Sequence, residues 1–213
     1  NGQATPPNLA FIDPEKRILA LGEDIQMSDL DDAELLMILD TSAWAQLGPM
    51  GDVIRTTSAK KIILDHHVSQ DDLGAEAFKN TTAEATGRLV VEAAQHLGVA
   101  LDSRIANPLF AAIATDTGWY RFPSTSSGTY RMAGALMDAG ADPVAIYRDL
   151  YERNSVGRVR LRGEVLARIE MELDGRLGHT FIHAEDFSRL GAIPSDTEDL
   201  INLVLEIEGT EAA

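Results

Sequence analysis

The sequence contains no cysteine, so disulfide bonds, thiolate nucleophiles and thiolate metal sites are excluded. Basic residues are scarce: 18 Lys and Arg stand against 34 Asp and Glu, a formal charge of −16 over 213 residues. Duplex DNA binding needs a basic surface, and this balance argues against it. A small phosphorylated ligand is a different matter, because bound divalent cations can supply the positive charge locally. No apolar run reaches the roughly 20 residues that cross a bilayer, so no membrane partner is expected. The opening, Asn1 to Asn8, is polar and Pro-rich and lacks the pattern of a secretory signal, and the absence of cysteine makes a reducing cytoplasm the expected location. Hydrophobic residues at 45% and charged residues at 24% fit an ordinary globular chain.

What is present reads as an α/β protein. Residues 1–12 read as an extended, Pro-punctuated opening, and Asp13-Pro14 as a turn. Ile18 to Leu21 is a short apolar run, and the acidic stretch Ser28 to Glu34 reads as a loop. Leu35 to Leu39 is a continuous apolar run that stops at Asp40, the pattern of a buried parallel strand. Lys61 to Leu64 repeats it and runs into Asp65. Strands ending in Asp place carboxylates at the carboxyl edge of a sheet, where open α/β sheets bind ligands. Thr81 and Thr82 with Glu84 predict the start of a helix closed by Gly98. Arg104 to Thr115 is apolar on most sides, fits a helix or a strand, and delivers Asp116. Ser126 to Ala139 predicts an amphipathic helix ended by Gly140. Asp142-Pro143 opens another through about Arg153. A domain boundary is placed at 153/154, followed by a helix to about Glu170. Asp174-Gly175 predicts a hairpin turn between Met171–Leu173 and Leu177–His183. Ser195 with Glu198 has the spacing of a capping box.

The tripeptide Asp65-His66-His67 gathers three potential ligands where a strand opens into a loop. Carboxylate oxygen and neutral imidazole suit a divalent ion such as Mn²⁺, and a neighbouring carboxylate can fix the tautomer of a metal-binding His. Asp40 and Asp116 read singly as caps or turn residues. Taken together with the tripeptide, three segment ends converging on one edge favour a metal centre. Arg121, beside Trp119 and Tyr120, fits contact with phosphate or base, and equally a surface Arg next to core aromatics. Arg158, Arg160 and Arg162 read as a solvated helix face, with phosphate binding as the lesser alternative, and His96, His179 and His183 as structural. Ser42 and Ser69 show no base partner that would make either a nucleophile.

The series Leu39-Asp40-Thr41, Ile63-Leu64-Asp65-His66-His67 and Thr115-Asp116-Thr117-Gly118 resembles motifs two to four of the DHH phosphoesterases. Pro7-Asn8-Leu9-Ala10-Phe11 and Phe122-Pro123-Ser124-Thr125 resemble the branch that hydrolyses nanoRNA and 3′-phosphoadenosine 5′-phosphate. Gly157-Arg158-Val159-Arg160-Leu161 through Ile207-Glu208-Gly209 is similar to the start of the associated DHHA1 domain. The resemblance implies a mainly parallel sheet flanked by helices over 1–153 and a partial second α/β domain over 154–213. It implies that Asp40 bridges two Mn²⁺ ions (Mg²⁺ or Co²⁺ as substitutes) and that His66 and Asp116 bind one of them. It further implies that His67 faces the scissile phosphate, that Asp65 orients the ligands, and that paired ions activate water and neutralise phosphoryl charge. The implied substrates are short RNA or 3′,5′-bisphosphonucleosides, and a homodimer is the implied assembly.

The family's first motif, His-x-x-x-Asp-x-Asp, does not occur. His67 and Asp71 have its first spacing, but residue 73 is Leu. The family's Gly-rich, His-containing loop would lie beyond Ala213. The expectation is a trimmed copy of a longer enzyme. Two other readings stand beside it: a hydrolase of cyclic dinucleotides, polyphosphate or pyrophosphate, and a nucleotide-binding relative that has lost catalysis.

Overall fold

The computed structural model describes residues 5–197 and 200–213. The chain forms two compact units, Asn1–Leu150 and Tyr151–Ala213. The first is an α/β fold on a small parallel sheet of β1 (Leu35–Leu39), β2 (Lys60–Asp65) and β3 (Glu76–Lys79), in that spatial order. Around it lie α1 (Met50–Thr56), α2 (Thr86–His96), α3 (Ser103–Asp116), α4 (Ser127–Asp138) and α5 (Pro143–Tyr147). A π-helical turn, Arg148–Glu152, extends α5.

Strand β2 shows why helices cover both faces. Its side chains alternate, so Ile63 and Leu64 point to opposite sides. Ile63 packs with Ile38 and with Ile54 of α1, and Leu64 packs with Leu89 of α2 and Ala83. Full burial of a side chain such as Ile54 or Ile63 contributes about 1.5–3 kcal/mol. β1 departs from the expectation of a strand buried on both faces. Ile38 is buried, but Leu35, Met37 and Leu39 are about half exposed. β1 is an edge strand, and its second face is only partly covered.

β3 carried no sequence signal: Glu-Ala-Phe-Lys is half charged, and only pairing with β2 makes it a strand. Residues 7–12 form a 3₁₀ helix rather than an extended opening, with Pro7 at its first position, where proline's fixed φ fits. Ile18 to Leu21 is irregular, with Leu21 in an isolated bridge to Ile25. Helix α2 begins at Thr86, later than Thr81 and Thr82 suggested. Thr82 instead donates through its backbone N and Oγ1 to Asn80 Oδ1, at 3.0 and 2.7 Å, and this local turn competes with the helix. Elsewhere the caps fall where the sequence put them. Ser126 and Asp142 accept from the first backbone N–H groups of α4 and α5, and Gly98 and Gly140 follow the ends of α2 and α4 with positive φ. Arg104 to Thr115 lies within helix α3, which Asp102 caps.

The second unit comprises α6 (Val156–Ala167), an antiparallel hairpin of β4 (Glu170–Glu172) and β5 (Leu177–His179), α7 (Ala184–Leu190), a 3₁₀ turn (Pro194–Thr197) and α8 (Leu200–Leu205). Asp174 and Gly175 take positive φ at the hairpin turn. Leu161, Val165, Ala192 and Leu200 form the core. Gly157 is required where α6 meets the residue after α7, since a Cβ there would lie 2.0 Å from the Gly191 carbonyl oxygen. Arg158 and Arg162 are half-buried rather than freely solvated. Glu198, the second member of the expected capping box, lies outside the described residues. No helix among the described residues is long and apolar enough to cross a membrane.

A buried ion cluster braces this unit. Asp186 is almost fully buried and accepts from Arg168 Nη2 (3.1 Å), from Arg189 and from the His183 backbone N–H (2.9 Å). The hydrogen bonds from Arg168 and then Arg189 hold its carboxyl well below the usual carboxylate range. A depressed folded pKa stabilises the fold above the unfolded value of about 3.9 and loses that contribution as pH falls through the folded value. Asp186→Asn is expected to lower Tm at pH 7. The gap from the parent is expected to narrow on acidification below pH ~4, as followed by thermal melts across pH.

Candidate metal centre

Three chain segments meet at the carboxyl end of the sheet. Asp40 follows β1 and its backbone N–H donates to the Leu64 carbonyl at 3.0 Å. Its φ is +63°, a left-handed conformation that Asp tolerates better than most side chains. Asp65 closes β2, with His66 and His67 directly after it. Asp116 is the last residue of α3. The turn beyond it requires Gly118, whose φ is +55° and where a Cβ would lie 2.5 Å from the Phe122 ring.

His66 is the centre of this arrangement. Its Nδ1 lies 3.1 Å from the Ala83 carbonyl, which can only accept, so Nδ1 carries the proton. In the neutral ring Nε2 is then a bare lone pair. That nitrogen sits 3.2 Å from Asp116 Oδ2 and 3.7 Å from Asp40 Oδ1, and is buried without a hydrogen-bond partner. A lone pair facing two carboxylates is electrostatically unsatisfied until a cation joins it, so the donor set fits a divalent metal. Asp116 carries the same signature. Burial raises its pKa, and nearby Asp40 adds to this against the opposing influence of His66.

Ligand atoms of Asp40, His66 and His67 lie within 4.8 Å of one another, the one such metal-type group among the described residues. The geometry therefore brings His67 into closest company with Asp40 and His66, while Asp116 reaches the group through His66. The two imidazole rings meet edge-on, centroids 4.6 Å apart.

Asp65 is fully buried and reaches this group through His67. It accepts from Ser42 Oγ (2.6 Å) and from the backbone N–H (3.1 Å) and Nδ1 (2.7 Å) of His67, and Lys79 Nζ lies 3.4 Å away. Burial opposes its ionisation, but the hydrogen bonds from Ser42, His67 and Lys79 outweigh burial and hold its carboxyl well below the usual range. The same bond raises the pKa of His67. Desolvation opposes this, and the charges of Asp65, Asp40 and Asp116 add to it. The sequence reading weighed Ser42 only as a nucleophile and set it aside, and Lys79 and the Ala83 carbonyl escaped it. Ser42 stands two residues beyond Asp40, but Lys79 ends a strand that left no signal.

Asp71 is anchored in its loop, accepting from the Trp44 backbone N–H at 2.8 Å. Arg121 is exposed, and its Nε donates to the Gly118 carbonyl at 2.8 Å. Trp119 and Tyr120 pack edge-on against Phe110, and Tyr120 stacks on Tyr130. His96 and His179 lie apart from the metal group: His96 Nδ1 meets the Glu92 carbonyl at 2.8 Å, and His179 Nε2 lies 3.2 Å from Glu172.

A cleft of about 420 Å³ adjoins Asp40 and Asp116, with Leu39, Val90, Leu109 and Ala112 in its walls. A slightly larger one, about 460 Å³, lies between residues 11–17 and the start of α3. The latter holds no metal-type cluster, so the chemistry places the site at the former. Mn²⁺ is expected to bind this protein and raise its stability by about 2.7 kcal/mol at a free concentration 100-fold above Kd. His66→Ala is expected to abolish that gain with the fold retained. Thermal melts and the electron-paramagnetic signal of free Mn²⁺ measure both.

No protein-family model matches the chain. The bifunctional oligoribonuclease and PAP phosphatase NrnA of Bacillus subtilis (strain 168) is 24% identical over 214 residues, covering 93% of this chain and 66% of that protein. The Thermus thermophilus protein of the same name is 28% identical over 149 residues, covering 70% of this chain and 44% of the relative. A probable counterpart from Streptococcus mutans is 25% identical, covering 81% and 54%. The chain thus spans 44–66% of the length of these curated relatives. In fold it is similar to the crystal structure of an exopolyphosphatase-related protein from Bacteroides fragilis. The TM-score is 0.90 at 24% identity, covering 98% of this chain and 63% of the other. At the level of the superfamily, the chain is homologous to the DHH/DHHA1 phosphoesterases.

Proposed function

We propose that this chain is part of a divalent-metal-dependent phosphoesterase that hydrolyses short oligoribonucleotides, 3′,5′-bisphosphonucleosides or both. The observation that carries the reading is the buried, unpartnered His66 Nε2 between the carboxylates of Asp40 and Asp116. The sequence similarity to proteins named as oligoribonuclease and PAP phosphatase supports the substrate class. The net charge of −16 supports a small substrate over duplex DNA.

When bound, divalent cations neutralise phosphoryl charge and activate water. Mn²⁺ is the proposed ion, and the complete enzyme would hold two. Asp40, His66 and Asp116 are the proposed ligands. The Ala83 carbonyl holds the His66 ring so that Nε2 faces both carboxylates. Asp65, acting through its bonds to the backbone and ring of His67, orients that imidazole toward the phosphate. Arg121 is the proposed further contact to substrate. Residues 154–213 are proposed as part of a DHHA1-type substrate-binding domain. We place the enzyme in the cytoplasm, as a homodimer.

The test is side-by-side hydrolysis, by the natural protein that carries this chain, of a dinucleotide RNA and adenosine 3′,5′-bisphosphate against cyclic dinucleotides, polyphosphate and pyrophosphate. Mn²⁺ is supplied throughout. The first two are expected to turn over fastest, and Asp116→Asn is expected to lose activity with an unchanged circular dichroism spectrum. Preference for pyrophosphate or polyphosphate contradicts the substrate assignment, and full activity in Asp116→Asn contradicts the site.

A further inference from the structure

Behind the metal centre runs a chain of hydrogen bonds in which each member dictates the proton position of the next. It begins at Lys79, which ends β3 directly opposite Asp65 in the register with β2. Lys79 is mostly buried, and its ammonium group has donors only. Nζ donates to Ser42 Oγ at 3.0 Å and to the Ser69 carbonyl at 2.8 Å. The Ser42 oxygen is therefore an acceptor toward Lys79, and its own proton must go elsewhere. The Asp65 carboxylate is the better recipient at 2.6 Å, ahead of the Ser69 carbonyl at 3.0 Å, which Lys79 already serves. Asp65, ionised and acceptor-only, then requires a proton on His67 Nδ1, 2.7 Å away.

We propose that Lys79 and Ser42 are positioning residues that act through Asp65 to lock His67 as its Nδ1–H tautomer, presenting Nε2 to the reaction centre. Turning the Ser42 hydroxyl would set it donor to donor against Lys79, and, apart from His67 itself, Ser42 and Lys79 are the side chains that hold the Asp65 carboxylate where it receives the Nδ1 proton. Ser42 and Lys79 thus have a function without being nucleophile or base. The backbone supports the same geometry, since Asp71 N–H donates to the Ser42 carbonyl at 2.8 Å and ties the loop after His67 to the segment after Asp40. The tautomer lock stands on hydrogen-bond geometry alone; its catalytic consequence rests on the phosphoesterase reading.

Long-range ¹H–¹⁵N correlation spectra of the metal-free natural protein, taken where the imidazole is neutral, read the tautomer directly. The parent and Lys79→Arg are expected to show His67 with Nδ1 protonated only. Ser42→Ala and Lys79→Met are expected to lose that single-tautomer pattern and show both forms. Their kcat with Mn²⁺ and a dinucleotide RNA is expected to fall about 10- to 100-fold, the usual effect of removing a partner behind a ligand, with KM unchanged. A single, unaltered tautomer in Ser42→Ala overturns the proposal, even should Lys79→Met fail to fold. A locked tautomer in a parent that hydrolyses no RNA upholds the lock and overturns the functional reading instead.

Discussion

Everything in the site follows from one unsatisfied atom. A carbonyl acceptor behind His66 keeps a proton on Nδ1, so the neutral ring turns the lone pair of Nε2 toward two carboxylates. With that ring neutral, three acceptors crowd together and repel one another, and proteins rarely leave a buried one such as Nε2 without a partner. A divalent cation resolves the conflict, because it converts all three into ligands.

The fold supplies that arrangement through its topology. Parallel strands β1 and β2 end side by side, so Asp40 and the residues after Asp65 emerge at the same edge. Helix α3 ends at the same place and adds Asp116. Gly118 then lets the chain turn sharply against Phe122. Asp65, one residue before the metal-type group, takes the opposite role: its carboxylate turns inward to Ser42, Lys79 and His67. Adjacent carboxylate and imidazole groups thus divide between holding the structure and holding the ion.

The parts legible in the sequence were those set by local chemistry. The apolar runs ending at Asp40 and Asp65, the caps at Ser126 and Asp142, and the Asp174-Gly175 turn all depend on near neighbours. The parts that escaped depend on distant ones. β3 is a strand only because β2 pairs with it, and Lys79 matters only because that pairing sets it opposite Asp65. Thr81 and Thr82 resemble a helix start, yet Asn80 captures Thr82 first, and the resulting turn frees the Ala83 carbonyl to hold His66. β1 reads as buried on both faces from its composition, but burial depends on which elements stand beside it, and hydrophobicity alone cannot specify that.

The most direct measurement is anomalous diffraction at the manganese absorption edge from crystals of the natural protein grown with Mn²⁺. The account predicts a peak in contact with His66 Nε2 and with carboxylate oxygens of both Asp40 and Asp116. Manganese bound only elsewhere, with His66 Nε2 hydrogen-bonded to a protein group, would contradict it.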